Sequence, residues 1–367
     1  MEWGDGTGNG AGQDARNPFL CFKLSCLIRI GLDEIPPGSA RCISIQRTMQ
    51  LGITIASYAF RSRQPPPLGF AGVEDVVDHC RALGAGGLQT HIGNWDAQRV
   101  SALRKRLDNG GLYLEGQVPL PREKSDLDRF DRQIQTARDA GADIVRTVCL
   151  GGRRYETFHS AADFADFVRA SRQSLEWAEP IMRRHKVRLA VENHKDWRVP
   201  GLLELMKHLD SEWVGVCVDT GNSISLLEDP MAILEAYAPW AFTTHIKDMG
   251  VQAYEDGFLL SEVPFGEGFL DVKRMVSILR AARPHIRFNL EMITRDPLRI
   301  PCLKEEYWAT FGTLPAQALA QTLALVQAHP PRAPLPTVTG RSPEDQVRFE
   351  EQNVQACFTF AQKHLEL

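Results

Sequence analysis

Four short apolar runs decide the fold: LAVEN at residues 189–193, VCVDT at 216–220, FTTHI at 242–246 and FNLEM at 288–292. Each run closes on a side chain that can bind a metal ion, and these are Glu192, Asp219, His245 and Glu291. Side chains alternate across a β-strand, so the residue two places before each closing residue points the same way. These earlier residues are small or polar, namely Ala190, Cys217, Thr243 and Asn289. The pattern predicts that the four closing side chains point into one barrel at the C-terminal ends of its strands.

The chain around these runs alternates strand-like and helical segments. Strands are predicted at 52–60, 87–92, 112–118, 144–150, 188–193, 214–220, 241–246 and 287–292. Helical spacing and capping residues predict helices at 73–83, 127–140, 161–184, 230–238 and 272–282. Eight strands that alternate with helices favour an α/β fold, a (β/α)8 TIM barrel, over residues 49–300.

Both ends of the chain differ from this central region. Residues 1–48 are predicted to be an appendage, either disordered or the product of an upstream start codon, with packing on the barrel floor as the alternative. Residues 301–367 are predicted to form a C-terminal helical extension, whose last helix starts after Ser342 and packs on the barrel or on a second subunit. Within the barrel region, residues 249–268 are expected to form a long loop with a turn at Asp256-Gly257.

Composition excludes several classes of protein. The chain has 367 residues with a net charge of −4, which argues against a surface built to hold nucleic acid. It has no apolar run of the roughly 20 residues that a membrane-spanning helix needs. Its eight cysteines are scattered without a CxxC pair, as expected for reduced thiols of a cytoplasmic protein. We therefore expect no nucleic-acid partner and no membrane partner, and a homo-oligomer stays open.

The donor set of the four closing residues indicates a class of metal ion. Three carboxylates and one imidazole suit Mn²⁺, Mg²⁺ or Co²⁺ better than they suit a metal ion that prefers thiolate ligands. Zn²⁺ is a further alternative. Three carboxylates clustered without a cation would be strongly unfavourable. One divalent ion, with Mn²⁺ as the first expectation, accounts for the cluster. For any one of these residues an unrelated polar strand end is the better explanation, but four of them with matching parity favour the metal site.

The motifs VENHKD (191–196), VCVDTGN (216–222), THIKD (244–248) and NLEM (289–292) resemble those of the xylose-isomerase-like barrels. That family includes sugar isomerases, sugar epimerases and endonuclease IV-type enzymes. The resemblance implies that Glu192, Asp219, His245 and Glu291 are metal ligands. It also implies that Glu192 and Glu291 exchange protons with substrate, as the matching glutamates do in the epimerases. The extra ligands of the endonuclease branch find no match in this chain.

Further residues are candidates for contact with substrate. His194 lies two residues after Glu192, at the position where xylose isomerases have Lys. His194 and Lys247 are both candidates to hydrogen-bond or protonate a sugar. Asn222 stands where many epimerases have His. His91 is expected at the mouth of the second strand and Trp95 in the pocket wall. Arg295 is a candidate to bind a carboxylate or phosphate. For each of these residues, an ordinary structural role is the alternative.

The favoured function is a divalent-metal-dependent sugar isomerase or epimerase that acts through an enediolate on a hydroxy-ketone or an aldose. A metal-dependent lyase on an oxidised sugar is the first alternative, as a 3-oxoisoapionate-type decarboxylase or an inosose-type dehydratase. A non-catalytic sugar-binding or partner subunit is the second alternative. The expected partner in each case is a small sugar or sugar acid.

The interpretation of residues 1–48 predicts the behaviour of a shortened chain. A chain that begins at Met49 should fold and bind metal as the full chain does, because residues 1–16 lack apolar periodicity. Thermal unfolding and metal content of the two chains test this. A large drop in Tm for the shortened chain would show that the extension belongs to the core.

Overall fold

The computed structural model describes residues 51–313 and 315–367, so the predicted appendage lies outside the described residues. The strands are β1 (Leu51–Thr54), β2 (Gly87–His91), β3 (Tyr113–Gln117), β4 (Ile144–Thr147), β5 (Arg188–Glu192), β6 (Val214–Asp219), β7 (Ala241–Ile246), β8 (Asp248–Tyr254), β9 (Gly257–Val263), β10 (Arg287–Leu290) and β11 (Leu298–Ile300). Eight of these close into a parallel barrel in the order β1-β10-β7-β6-β5-β4-β3-β2. The prediction of a TIM barrel is confirmed.

Every predicted strand position contains a barrel strand, but the first one is shorter than predicted. β1 ends at Thr54, and the chain continues as a 3-10 helix over Ile55–Tyr58. Ser57 causes the change of direction, because its hydroxyl donates to the carbonyl oxygen of Leu290 and accepts from the backbone N–H of Met292. These bonds connect the chain that follows β1 to the end of β10. A longer β1 would carry the chain away from the barrel at this point.

The helices are α1 (Val73–Leu83), α2 (Ala97–Gly110), α3 (Leu127–Asp139), α4 (Arg154–Thr157), α5 (Ala161–His185), α6 (Val199–Leu209), α7 (Pro230–Tyr237), α8 (Val272–Ala282), α9 (Ala316–Ala328) and α10 (Pro343–His364). All five helices predicted in the barrel region are present, within one residue at each end. The sequence interpretation missed α2 and α6. The signals for α2 were available, because Asp96 caps its start and Gly111 ends it in the left-handed region.

The loop predicted over residues 249–268 is wrong, because most of it is a β-hairpin. β8 and β9 pair antiparallel from Asp248↔Val263 to Tyr254↔Gly257, and β11 adds to the other side of β9. The predicted turn at Asp256-Gly257 is therefore confirmed. The Asp248 carboxylate accepts from the backbone N–H groups of Gly266, Gly268 and Leu270 at 2.9, 3.0 and 3.1 Å. Those bonds hold the returning chain against the start of the hairpin.

Alternation along the strands separates the interior of the barrel from the core outside it. Ala190 and Cys217 join Ile144 in a small buried cluster of their own. Val191 and Val218, at the intervening positions, belong to the large core that lies beneath the helices. The predicted direction of the side chains is thus confirmed, and the residues that close the strands continue the inward series.

Beyond the barrel, α9 and α10 form the C-terminal region, and Ser342 caps α10 by accepting from the backbone N–H of Asp345. α10 packs on the barrel, with Val354, Phe358 and Ala361 buried in the main core. The buried carboxylate of Glu350 accepts from the backbone N–H of Phe60 at 2.8 Å and of Arg61 at 3.0 Å.

Two further observations concern only the described part of the chain. None of its helices combines the length and the apolar character that crossing a membrane requires. Its five cysteines are all buried and free: Cys80, Cys149, Cys217, Cys302 and Cys357.

The contact of Glu350 with the chain after β1 should dominate the attachment of α10. Glu350→Ala leaves two backbone donors without their acceptor and should lower the free energy of unfolding by about 1.5–3 kcal/mol. Glu351→Ala is the matched control, because Glu351 makes a partly exposed ion pair with Arg61 that is worth less than about 1 kcal/mol. Urea unfolding of both variants measures the difference. Equal losses would contradict the assignment.

Candidate metal centre and its surroundings

Four strands bring the predicted metal ligands to one point. One donor atom from each of Glu192, Asp219, His245 and Glu291 lies within 4.8 Å of all the others. Glu192 ends β5, Asp219 ends β6, His245 lies near the end of β7, and Glu291 follows β10 directly. All four residues are buried. The convergence follows from the closed barrel, which places the ends of neighbouring strands side by side.

The orientation of the His245 ring is set by a chain of side chains inside the barrel. His245 Nε2 lies 2.8 Å from the amide oxygen of Gln89, so this nitrogen carries the proton. The amide nitrogen of Gln89 donates to the buried Glu115 carboxylate at 3.0 Å, which fixes which end of the amide is the acceptor. Gln117 donates to the same Gln89 oxygen at 2.9 Å. Burial alone would lower the pKa of His245, but Cys217, Glu291 and Glu192 raise it well above its usual value, so without a metal ion Nδ1 also carries a proton, which a bound cation would displace.

His245 Nδ1 faces three carboxylate groups. His245 Nδ1 lies 3.3 Å from Glu192 Oε2, 3.3 Å from Glu291 Oε1 and 3.9 Å from Asp219 Oδ2. Among the described residues, neither Nδ1 nor Asp219 Oδ2 has a hydrogen-bond partner of acceptable geometry, although Lys247 Nζ is 2.7 Å from that oxygen. Buried polar atoms are rarely left without a partner.

These residues fit a divalent cation. Four buried donor groups converge, and two of the donor atoms, His245 Nδ1 and Asp219 Oδ2, lack a hydrogen bond of acceptable geometry among the described residues. The residues that would hold the ion are Glu192, Asp219, His245 and Glu291. Cys217 lies close enough to form a second set with Glu192 and His245. Burial raises the pKa of the Cys217 thiol to about 11, however, which keeps it protonated and favours the set that contains Asp219.

Cations surround the carboxylates. Arg146 donates to Glu192, with Nε 2.6 Å from Oε2. Lys247 donates to Glu291 and lies beside Asp219. Burial alone would raise the pKa of Glu192, but Arg146 and His245 outweigh it and hold that pKa well below its usual range. Burial alone would lower the pKa of Lys247, but Asp219 and Glu291 reverse the effect and raise it. Burial and the neighbouring Glu291 and Glu192 raise the pKa of Asp219 to about 6 although Lys247 opposes them, so the three candidate carboxylates are mainly ionised at neutral pH.

Comparison with known proteins identifies the family. The model of the xylose isomerase-like TIM barrel matches residues 68–319, more than half of the chain. The chain belongs to this family.

Individual members of the family carry different activities. A 3-oxo-isoapionate decarboxylase from Pectobacterium atrosepticum is 25% identical over 251 residues, which are 66% of this chain and 85% of that protein. D-psicose 3-epimerase from Clostridium cellulolyticum H10, solved with D-tagatose, has a TM-score of 0.56 at 12% identity and covers 87% of this chain and 100% of its own. A xylose isomerase-like TIM barrel protein from Mycobacterium smegmatis, solved with magnesium, has a TM-score of 0.51 at 17% identity, with 76% and 98% coverage. The two structures share the fold with this chain.

The residues after Glu192 include one that the sequence interpretation did not consider. His194, expected to point inward, is half-buried, and its Nδ1 is buried without a hydrogen-bond partner among the described residues. Burial and the neighbouring Lys195 lower the pKa of His194 to about 3, so the ring is neutral. The next residue, Lys195, is a buried cation that the sequence interpretation did not consider. It donates to the side-chain oxygen of Asn222, whose amide nitrogen donates to Glu192 Oε1 at 3.2 Å.

The other predicted substrate contacts lie in different surroundings. His91 is exposed at the end of β2. Trp95 lines a groove between α2 and α3, together with residues such as Val100 and Thr136, and the structure does not bring it into the metal cluster. Arg295 pairs with the buried Glu262, with 2.5 Å between Arg295 Nη2 and Glu262 Oε1. Two of the predicted contacts lie against the candidate ligands: Lys247 donates to Glu291, and Asn222 donates to Glu192.

Two other charged residues of the site were missed, and one of them left a signal. Arg146 has the same parity as Ile144, which lies inside the barrel, so an inward charge in the apolar run of β4 was readable from the sequence. Glu262 gave no such signal, because the hairpin that carries it was interpreted as a loop. Sequence parity thus identified the four candidate ligands, but the sequence interpretation missed cations that reach them from neighbouring elements.

The Gln89 amide should control metal affinity through His245. Gln89→Met removes the acceptor of the Nε2 proton, which frees the ring to rotate or to adopt the other tautomer, and Mn²⁺ affinity should fall by about 10- to 100-fold. Gln117→Met is the matched control, because Gln117 bonds to Gln89 from the adjacent strand without contacting His245. Titration calorimetry with Mn²⁺ on the full chain measures both. An equal loss of affinity in the two variants would show that packing, rather than the tautomer, is responsible.

Proposed function

We propose that this protein is a divalent-metal-dependent lyase that releases CO₂ from a 3-oxo sugar acid. Mn²⁺ is the proposed ion. The observation that carries the proposal is the charge of the site: Arg146, Lys195, Lys247 and Arg295 surround Glu192, Asp219, Glu291 and Glu262. Four positive groups already balance four negative ones, so a bound divalent ion leaves an excess of positive charge. Such a site favours an anionic substrate over a neutral sugar.

The chemistry of a 3-oxo acid fits this charge. The bond to the carboxylate carbon breaks, CO₂ leaves, and the electron pair moves toward the ketone, whose oxygen takes up the negative charge as an enolate. A proton then adds to the carbon that lost CO₂, which gives a ketone that is one carbon shorter. A divalent ion held by the four candidate ligands would act as a Lewis acid toward the ketone oxygen.

The ion pairs also favour a reaction that needs no strong base. Glu192 accepts from the Arg146 guanidinium and Glu291 accepts from the Lys247 ammonium. A carboxylate bonded to a cation is a poorer proton acceptor than a free one. Loss of CO₂ generates the enolate without removal of a proton from carbon, so these contacts leave the proposed step intact. The 3-oxo-isoapionate decarboxylase that resembles this chain supports the same class of reaction.

A sugar isomerase or epimerase is the second candidate function. The arrangement that favours it is the placement of Glu192 and Glu291, each 3.3 Å from His245 Nδ1 and carried by different strands. A substrate bound at the metal would then have a carboxylate toward each of two sides, as removal and return of a proton on opposite faces requires.

One experiment separates the two candidates. The full chain, loaded with Mn²⁺, is incubated in D₂O with 3-oxo-isoapionate and, separately, with neutral ketohexoses. We expect CO₂ and a product one carbon shorter from the acid, and no reaction of the neutral sugars. Deuterium that enters a ketohexose with all carbons retained would establish the epimerase instead.

The controls concern the metal. Asp219→Ala removes one candidate ligand, and Mn²⁺ binding and CO₂ release should fall together. Removal of the metal with EDTA should abolish turnover, and Mn²⁺ should restore it. A protein that binds Mn²⁺ fully yet turns over neither substrate class would favour the non-catalytic subunit.

A further inference from the structure

Lys195 differs from the other cations of the site in having no carboxylate partner. Arg146, Lys247 and Arg295 each lie within ion-pair distance of a carboxylate. Lys195 is 3% exposed, and across residues 51–313 and 315–367 no carboxylate oxygen lies within 4.0 Å of its ammonium group. Burial of a charge without a partner is costly. An unpaired buried ammonium at a proposed active site therefore indicates a missing anion.

The position of Lys195 agrees with this. Its ammonium is held by the side-chain oxygen of Asn222, the residue that also donates to Glu192. Lys195 thus stands one residue away from the candidate metal ligands. Burial, together with the nearby charges of Arg295 and Lys247, lowers the pKa of Lys195 to about 8, which leaves it mainly protonated at neutral pH. An anion placed beside Lys195 would offset both the cost of burying its charge and the repulsion from Arg295 and Lys247.

We propose that Lys195 binds the carboxylate of the substrate and so selects sugar acids over neutral sugars. The inference rests on the proposed function, because it names the group that the same site would recognise. The substrate carries one negative charge before CO₂ leaves and its enolate carries one afterwards. That charge lies on the carboxylate that Lys195 binds before CO₂ leaves and on the former ketone oxygen afterwards. The contact with Lys195 therefore weakens as the bond breaks, so loss of Lys195 should raise KM without lowering kcat.

The test compares two probes that differ in charge. D-Gluconate and D-glucitol share a six-carbon polyol chain, and only the first carries a carboxylate. Titration calorimetry on the full chain with Mn²⁺ should show gluconate binding at least tenfold more tightly. In Lys195→Gln, which can still donate to Asn222, the preference should fall by about 10- to 100-fold, the usual effect of a charge-assisted hydrogen bond.

Three controls accompany the test. Lys195→Arg should retain most of the preference, because it keeps the charge. Lys207→Met removes a lysine charge on the exposed side of α6 and should leave the preference unchanged. Lys195→Met should not lower the Tm of the protein, because it replaces an unpaired buried charge with an apolar side chain of similar length. Mn²⁺ content is measured in every variant.

Several outcomes would overturn the proposal. Equal binding of the two probes by the natural protein, or an undiminished preference in Lys195→Gln with full metal content, would each do so. Loss of Mn²⁺ from Lys195→Gln together with loss of gluconate binding would show instead that Lys195 positions Asn222 and Glu192. Failure of the proposed function is distinguishable, because it appears as absence of CO₂ from 3-oxo-isoapionate while the preference for gluconate persists.

Discussion

The site depends on one electrostatic constraint: three carboxylates and an imidazole are buried together within 4.8 Å. Such a cluster is stable only when positive charge reaches it. Arg146 and Lys247 supply part of that charge from β4 and from the residue after β7. Two donor atoms, His245 Nδ1 and Asp219 Oδ2, lie 3.9 Å apart and lack a hydrogen bond of acceptable geometry among the described residues. These residues fit a divalent cation, which would supply the remaining positive charge.

Hydrogen bonds in the barrel interior also hold the cluster in place. Glu115 accepts from Gln89, Thr243 and Asn289, so its carboxylate is held by donors on three other strands. Gln89 can then offer only its oxygen to His245. Burial raises the pKa of Glu115 from its ordinary value, while the nearby Arg287 opposes that effect. The tautomer of a metal ligand is thus determined by a residue two hydrogen bonds away, and the closed barrel makes that relay short.

Strand alternation explains how much of this was readable from the sequence. The barrel and the positions of Glu192, Asp219, His245 and Glu291 follow from apolar runs with a period of two. Beyond a strand end that period no longer applies. Parity pointed to His194 as the inward residue after Glu192, and it gave no reason to consider Lys195, which lies beyond the end of β5 and is buried. The β8–β9 hairpin was likewise misread as a loop, which concealed Glu262, because pairing with a third strand is a property of the tertiary fold.

The fold of this family leaves the reaction open, and the charges around the cluster are what narrow it. A site for a neutral sugar needs enough positive charge to balance its own carboxylates and the metal's ligands. Here Arg146, Lys195, Lys247 and Arg295 balance the four carboxylates before any ion binds, so a bound divalent ion leaves surplus positive charge, and Lys195 is the cation that is bonded to an amide oxygen and not to a carboxylate. Burial of a surplus cation is unfavourable in the free protein and becomes favourable only when an anion enters. The surplus positive charge therefore indicates that the substrate is an anion. A molecule that carries its own negative charge, and keeps that charge as its bonds rearrange, is the partner that makes this arrangement of residues favourable as a whole.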